Sequence, residues 1–379
     1  MILGHLLIII SERRIDTVTD WQETAKAMDR IICLAEARQR AAVATVVRIQ
    51  GSSYRRPGAK FLVEEGGQTL GGVSGGCLEA DVREVALALM RDGVPRLLHY
   101  DTGSDEQRVW GLGLGCNGSV DIFVQLSTSE ATLQVAARVK DLLGGETAFA
   151  VSTLVEGPGQ VGSALVLGSA GVLAGSMGDP HLDSQIVGLA LDQLAKGESA
   201  LHAVGAGRVF TEVYTPPPHL IVCGAGDDSI PLVGYAAAAG FRVTLVDHRS
   251  AYLTPERFPA ATRLLRLRPE EELTPLPLGL CSYAVLKTHS LAHDREWVRR
   301  LLLTEVPYIG LLGPGKRKEL ILDQIGSTGN HRVFGPVGLD LGAEGPEQIA
   351  LSIVAELLAV RSGREPKHLR TREGTIHAA

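Results

Sequence analysis

Apolar residues recur at helical spacing at Met28, Ile31, Ile32 and Ala35, which predicts a helix over 20–40 with Asp20 as its N-cap. A Val-rich run at 41–49 and a second run at 60–63 predict strands, separated by a Gly/Ser/Arg/Pro loop at 51–58. A helix follows over 78–91, with Leu78, Val82, Val85, Ala86 and Leu89 on one face. The same order then returns. The β-type run 148–155 answers the first strand, 163–167 matches 59–63, 172–178 matches 70–75, and a helix over 182–196 matches the one after Cys77. Gly157 stands for Gly51 and Gly175 for Gly72, which reads as a degenerate internal duplication.

Thr215-Pro216-Pro217-Pro218 makes a stiff, non-helical linker. Beyond it the pattern changes to alternating strands and helices. Strands are predicted at 219–223, 242–246, 263–267, 283–286 and 307–311, and helices at 229–239, 294–303, 316–325 and 346–360. A strand ending in Gly224-Ala225-Gly226, a helix, and a strand ending in Asp247 open a Rossmann unit. The fold class is therefore α/β. An amino-terminal α/β domain with a degenerate internal duplication precedes a Rossmann-like domain with a doubly wound parallel sheet. The expected divisions are a leader or misplaced start at 1–19, a first domain at 20–214 in two halves (20–127 and 128–214), the Rossmann-like domain at 215–362, and a polar tail at 363–379.

With 379 residues, 45% of them hydrophobic but only 4% aromatic, the chain must build aliphatic cores in more than one domain. A net charge of −6 supplies no field for nucleic acid. The apolar start is too short to span a bilayer. Five cysteines without a Cys-x-x-Cys spacing fit a reducing cytoplasm better than a zinc ribbon or a disulfide frame. The expectation is a cytoplasmic protein without a nucleic-acid or membrane partner, with a homodimer as the default assembly.

Two glycine-rich loops end in a cysteine: Gly71–Cys77 and Gly111–Cys116. Glycine permits φ > 0 and close approach of a ligand to the main chain, and exposed amides favour an anion or a thiolate. Cys77, with Gly75 and Gly76, and Cys116 are the leading contacts for a ligand. Arg55, Arg56 and Lys60 are cations able to face it. Cys33, Cys223 and Cys281 read as packing residues. In the second domain Gly224, Gly226, Asp247 and His289 fall at the carboxyl ends of strands. Lys316 and Arg317 open a helix suited to phosphate. Ser229 replaces the third fingerprint glycine, and Asp227 and Asp228 stand where a pyrophosphate would lie, so like charges oppose NAD(P). An NAD(P)-dependent oxidoreductase with His289 as proton carrier is the alternative to a binding protein. A cation-binding or nucleotide-sensing module around Asp227, Asp228 and Asp247 is a third reading.

Several segments together resemble the XdhC/CoxI family. In the first half these are Gly51-Ser52-Ser53, Arg56-Pro57-Gly58-Ala59-Lys60, Ser74-Gly75-Gly76-Cys77-Leu78-Glu79 and Gly113-Leu114-Gly115-Cys116-Asn117-Gly118. In the second half they are Gly224–Pro231, Val246–Arg249, Thr288-His289, Tyr308–Gly313 and Pro336–Gly342. That resemblance implies an accessory chaperone rather than a turnover enzyme. Such a protein binds molybdenum cofactor transiently, supports its sulfuration by a cysteine desulfurase, and delivers it to an apo molybdenum hydroxylase of the xanthine dehydrogenase or carbon monoxide dehydrogenase type. Cys77, then Cys116, would contact the cofactor.

Overall fold

The computed structural model describes residues 21–51, 55–101 and 118–372. The leader and the Cys116 loop fall outside the described residues. The chain divides into two compact units, one ending at Pro216 and joined by residues from Lys367 on, the other spanning Pro217–Pro366.

The first unit holds two five-stranded antiparallel sheets. One copy runs α1 (Trp21–Glu36), β1 (Ala41–Gly51), β2 (Lys60–Glu64), β3 (Thr69–Gly71), α2 (Glu79–Asp92), β4 (Arg96–Asp101) and β5 (Gly118–Leu126). The next runs α3 (Glu130–Leu143), β6 (Phe149–Glu156), β7 (Ala164–Gly168), β8 (Gly171–Gly175), α4 (Pro180–Lys196), β9 (Ala200–Val204) and β10 (Gly207–Tyr214). The strand orders are β3-β2-β1-β5-β4 and β8-β7-β6-β10-β9, the same arrangement twice.

The registers agree residue by residue. Thr45 pairs with Phe123 and Lys60; Thr153 pairs with Phe210 and Ala164. The ladder skips one residue in each first strand, Val47 and then Val155. Such a bulge turns the strand without ending it. Alternation sends Ala42, Ala44 and Val46 against Val82, Ala86 and Leu89 of α2. Leu154, Leu165 and Leu167 meet Ile186 and Ala190 of α4. The opposite faces meet one another through Val47, Phe123, Val155 and Phe210, like residues from each copy. Two ion pairs repeat with reversed sign. Arg48 faces Asp121 at 2.9 Å, and Glu156 faces Arg208 at 2.6 Å in the matching places, with Arg208 reaching Asp121 at 3.9 Å.

The second unit begins at β11 (His219–Cys223). It continues through α5 (Ile230–Ala238), β12 (Arg242–Asp247), β13 (Arg263–Arg266), β14 (Ser282–Leu286), α6 (Leu291–Leu301), β15 (Tyr308–Leu311), α7 (Gly315–Gln324), β16 (Val333–Phe334) and α8 (Gly345–Arg361). Its six parallel strands lie in the order β13-β12-β11-β14-β15-β16. Leu220 and Val222 pack on α5 and α8, while Ile221 and Cys223 pack on α6 and α7. A strand apolar on both sides is what a doubly wound sheet requires at its centre. The order reverses between β11 and β14, so their carboxyl ends open the crevice where this architecture binds ligands.

Three sequence expectations are corrected. Cys33 and Cys281 are exposed, and only Cys223 of the three supposed packing cysteines is buried. The copies align one residue away from the expected match at their third strands. Gly71 and Gly175 both have positive φ, and a Cβ on either would collide with the carbonyl oxygen of Lys60 or Ala164, its counterpart. Asp179-Pro180-His181 therefore answers Gly75-Gly76-Cys77. Lys60 does not face the loop: it is buried against Glu212 at 2.8 Å, because its strand alternation points it between the sheets.

Candidate functional site

The Gly72–Leu78 loop is built by one acid. Glu79, in the first turn of α2, accepts the amides of Val73 (3.1 Å) and Ser74 (2.8 Å) and the Ser74 hydroxyl. Ser74 Oγ in turn accepts the amides of Gly76 (3.1 Å) and Leu78 (3.0 Å). Burial works to raise the Glu79 carboxyl, but the bonds from Ser74 and Val73 outweigh it and lower its pKa. The second copy repeats the tie, with Asp183 accepting the Met177 amide at 2.7 Å and the Ser176 hydroxyl at 2.8 Å.

The copies then part. Asp179 caps α4 by accepting the His181 (2.8 Å) and Leu182 (3.4 Å) amides, and Pro180 begins the helix. In the first copy the helix starts only at Glu79, so Gly75-Gly76-Cys77 is loop where its counterpart is already a helical turn. Gly75 and Gly76 are exposed, and Gly76 has φ +112° with open space where a Cβ would stand. Among the described residues the amides of Gly75 and Cys77 have no acceptor. Cys77 is half-buried and packs along the apolar group that contains Val73, Leu78 and Val82. Arg55 is held by Glu23, whose carboxylate lies beside Gly71 at the entry of the loop. Arg56 is half-buried.

At the carboxyl edge of the second unit four acids carry bases. Asp227 pairs with Arg257 (2.7 Å), and Asp228 with Lys287 (3.1 Å) and His289 (3.5 Å). Asp247 pairs with Arg249 (2.9 Å) and His248 (3.4 Å), and buried Asp294 with Arg317 (2.6 Å). Pairing offsets the repulsion that Asp227 and Asp228 alone would exert on an anion. Asp247 also accepts the Ala225 amide at 2.8 Å. Burial would raise its carboxyl, but Arg249 and the Ala225 and Arg249 amides hold it at about 2. Lys287 is buried, and desolvation lowers its pKa against the opposing pull of Asp228. His289 sits in the left-handed region at φ +56°, a conformation a non-glycine residue adopts only where its surroundings impose it.

Gly224, Gly226, Asp247 and His289 thus gather at one edge. Arg317 turns inward to Asp294, which takes its guanidinium away from a phosphate at the start of α7. Lys316 lines a surface groove with Asp323 and His331. No group of three or more His, Cys, Asp or Glu among the described residues could hold a metal ion, which leaves the cation reading of Asp227, Asp228 and Asp247 without a site. Sequence reasoning missed Lys287, whose signal is a single cation closing the apolar run 283–286 just before Thr288-His289. No helix among the described residues is long and apolar enough to cross a membrane.

Comparison with known proteins agrees with both units. Residues 34–101 match the XdhC and CoxI family, and residues 220–357 match the XdhC Rossmann domain. A probable xanthine dehydrogenase subunit of Bacillus subtilis is 34% identical over 334 residues, which cover 86% of this chain and 95% of that protein. The molybdenum cofactor insertion chaperone PaoD of Escherichia coli is 24% identical over 332 residues, 86% of this chain and 85% of PaoD. A crystal structure described as a xanthine dehydrogenase from Bacillus halodurans superposes with a TM-score of 0.72 at 30% identity, over 89% of this chain and 96% of that one. The chain belongs to the XdhC and CoxI family.

Proposed function

We propose that this protein is an accessory maturation factor. It binds molybdenum cofactor, supports its sulfuration by a cysteine desulfurase, and delivers it to an apo molybdenum hydroxylase. The observation that carries the reading is the Gly75-Gly76-Cys77 loop, which replaces a capped helical turn of the other copy by open amides and a half-buried thiol. Such amides suit the oxygens or sulfurs of an anionic pterin, and glycine lets it approach the backbone. The named role of PaoD, a relative over most of the chain, points to the same cargo. The cofactor is cargo: the chain's part is to hold it at the loop amides and beside the Cys77 sulfur until transfer.

Two measurements test the reading. The purified protein, exposed to molybdenum cofactor, should retain it, as read by pterin fluorescence after oxidation. Cys77→Ala should lose most of that retention and, in a co-expression assay, most of the activation of the partner hydroxylase. Retention and activation unchanged in Cys77→Ala remove the thiol from the function. An NAD(P)-dependent oxidoreductase gains no support from the geometry, because Arg249 and Ala225 already take up the Asp247 carboxylate.

A further inference from the structure

The carboxyl ends of β11 and β14 form a glycine cradle at the point where strand order reverses. Gly224 has φ +120°, and a Cβ there would collide with the carbonyl of Lys287. Ser229, fully buried, donates its hydroxyl to the Gly224 carbonyl at 2.7 Å, so a small side chain closes the turn where the fingerprint has its third glycine. The second glycine of such a turn is bare so that phosphate can approach it. Here that space is taken. A Cβ on Gly226 would stand 2.6 Å from Asp228 Oδ1, so this carboxylate lies over the glycine itself.

Two groups hold it there. Lys287 Nζ lies 3.1 Å from Asp228 Oδ2 and donates to the Asp228 carbonyl at 2.6 Å. His289 Nε2 lies 3.5 Å from the same Oδ2. The burial is unequal: the Lys287 side chain is 2% exposed and that of Asp228 28%. The carboxylate has a route to water, while the ammonium does not. A buried cation needs a counter-anion, but not this particular one.

We propose that this edge is a phosphate-binding cradle latched by its own carboxylate, in which an incoming phosphate group displaces Asp228 and takes Lys287, His289 and the glycine turn as its partners. The ligand is a free phosphate or a phosphate monoester rather than NAD. A dinucleotide of that type also needs a free acid at the end of β12 for its ribose. Asp247 instead accepts the Arg249 amide and side chain (2.9–3.0 Å) and the Ala225 amide (2.8 Å). The cradle is independent of the cofactor reading, which rests on the first unit.

Isothermal titration of the full chain with inorganic phosphate, AMP and NAD tests it. Asp228→Asn keeps the shape and removes the competing charge. It should bind phosphate and AMP about tenfold or more tightly than the unsubstituted protein, because one like charge beside the site is gone. Asp228→Ser should show the same gain. Adding Lys287→Met to Asp228→Asn should abolish it. Equal gains for the two probes identify the phosphate group alone as the ligand, and a larger gain for AMP identifies a nucleoside phosphate. Absence of any gain in Asp228→Asn and Asp228→Ser, a gain that survives Lys287→Met, or NAD binding the unsubstituted protein more tightly than AMP would overturn the proposal.

Discussion

The two copies within the first unit share strand order, bulge position and inner-face residues, and differ at a few places that matter. One keeps Asp179-Pro180-His181, a capped start to α4; the other has Gly75-Gly76-Cys77, a loop. Across the sheets Lys60 of the first meets Glu212 of the second, beside a cavity of about 70 Å³, while the positions that answer them hold Ala164 in the second and Gln125 in the first. A fold built twice is its own control. The second copy shows that the scaffold closes without the Gly-Gly-Cys loop, so that feature of the first needs another explanation than folding.

The largest effect expected from disturbing this comparison is at the ion pair. Lys60→Ala leaves Glu212 charged, buried and unpaired, and should destabilise the protein by about 3–5 kcal/mol. Adding Glu212→Gln recreates the Ala164–Gln125 pattern and should restore most of the loss in urea unfolding. A double variant as unstable as the single one would mean that the pair does more than answer its own charge.

Next is the loop tie. Glu79→Gln should cost about 2 kcal/mol at neutral pH, as expected for bonds to a charged acceptor. Since the folded carboxyl is lowered, its contribution is present above the unfolded value of about 4.3 and disappears as pH falls through the folded one. Stability curves of the two proteins should therefore converge in acid; a constant gap would show that the charge is not what holds the loop.

A smaller effect is expected from giving the first copy the turn of the second. Gly75→Asp, Gly76→Pro and Cys77→His together should lengthen α2 by a turn and raise stability by about 1 kcal/mol, through a cap and fewer unfolded conformations. Far-ultraviolet circular dichroism and the unfolding midpoint read both. Arg48→Ala should cost about 1 kcal/mol, since Arg48 is partly exposed and the buried Asp121 keeps His99 at 2.6 Å and Arg208 at 3.9 Å as partners.

The repeat was legible because its signals are local. Val-rich alternation, glycines at turns and amphipathic helices recur in order, and the Rossmann order follows from strands apolar on both faces. The site was legible in part. The Gly/Cys loop announces itself by composition, but which residues answer it in the other copy depends on register: Gly175 set against Gly72 puts Gly178-Asp179-Pro180 there, and Gly175 set against Gly71 puts Asp179-Pro180-His181 there. Lys60 reads as a cation beside the loop; only the pleat shows that it faces the other sheet. Arg317 and Lys287 fail for the same reason. The partner that decides each role, Asp294 or Asp228, is distant in sequence and arrives through a parallel sheet.

Matched substitutions in the two copies decide whether the first carries the function. Molybdenum cofactor retention should be measured for two variants with matched unfolding curves: Cys77→Ala, and His181→Ala at the counterpart position. Retention lost in the first and kept in the second is the expected result. Equal retention in both would contradict the assignment of the first copy as the site and the second as scaffold.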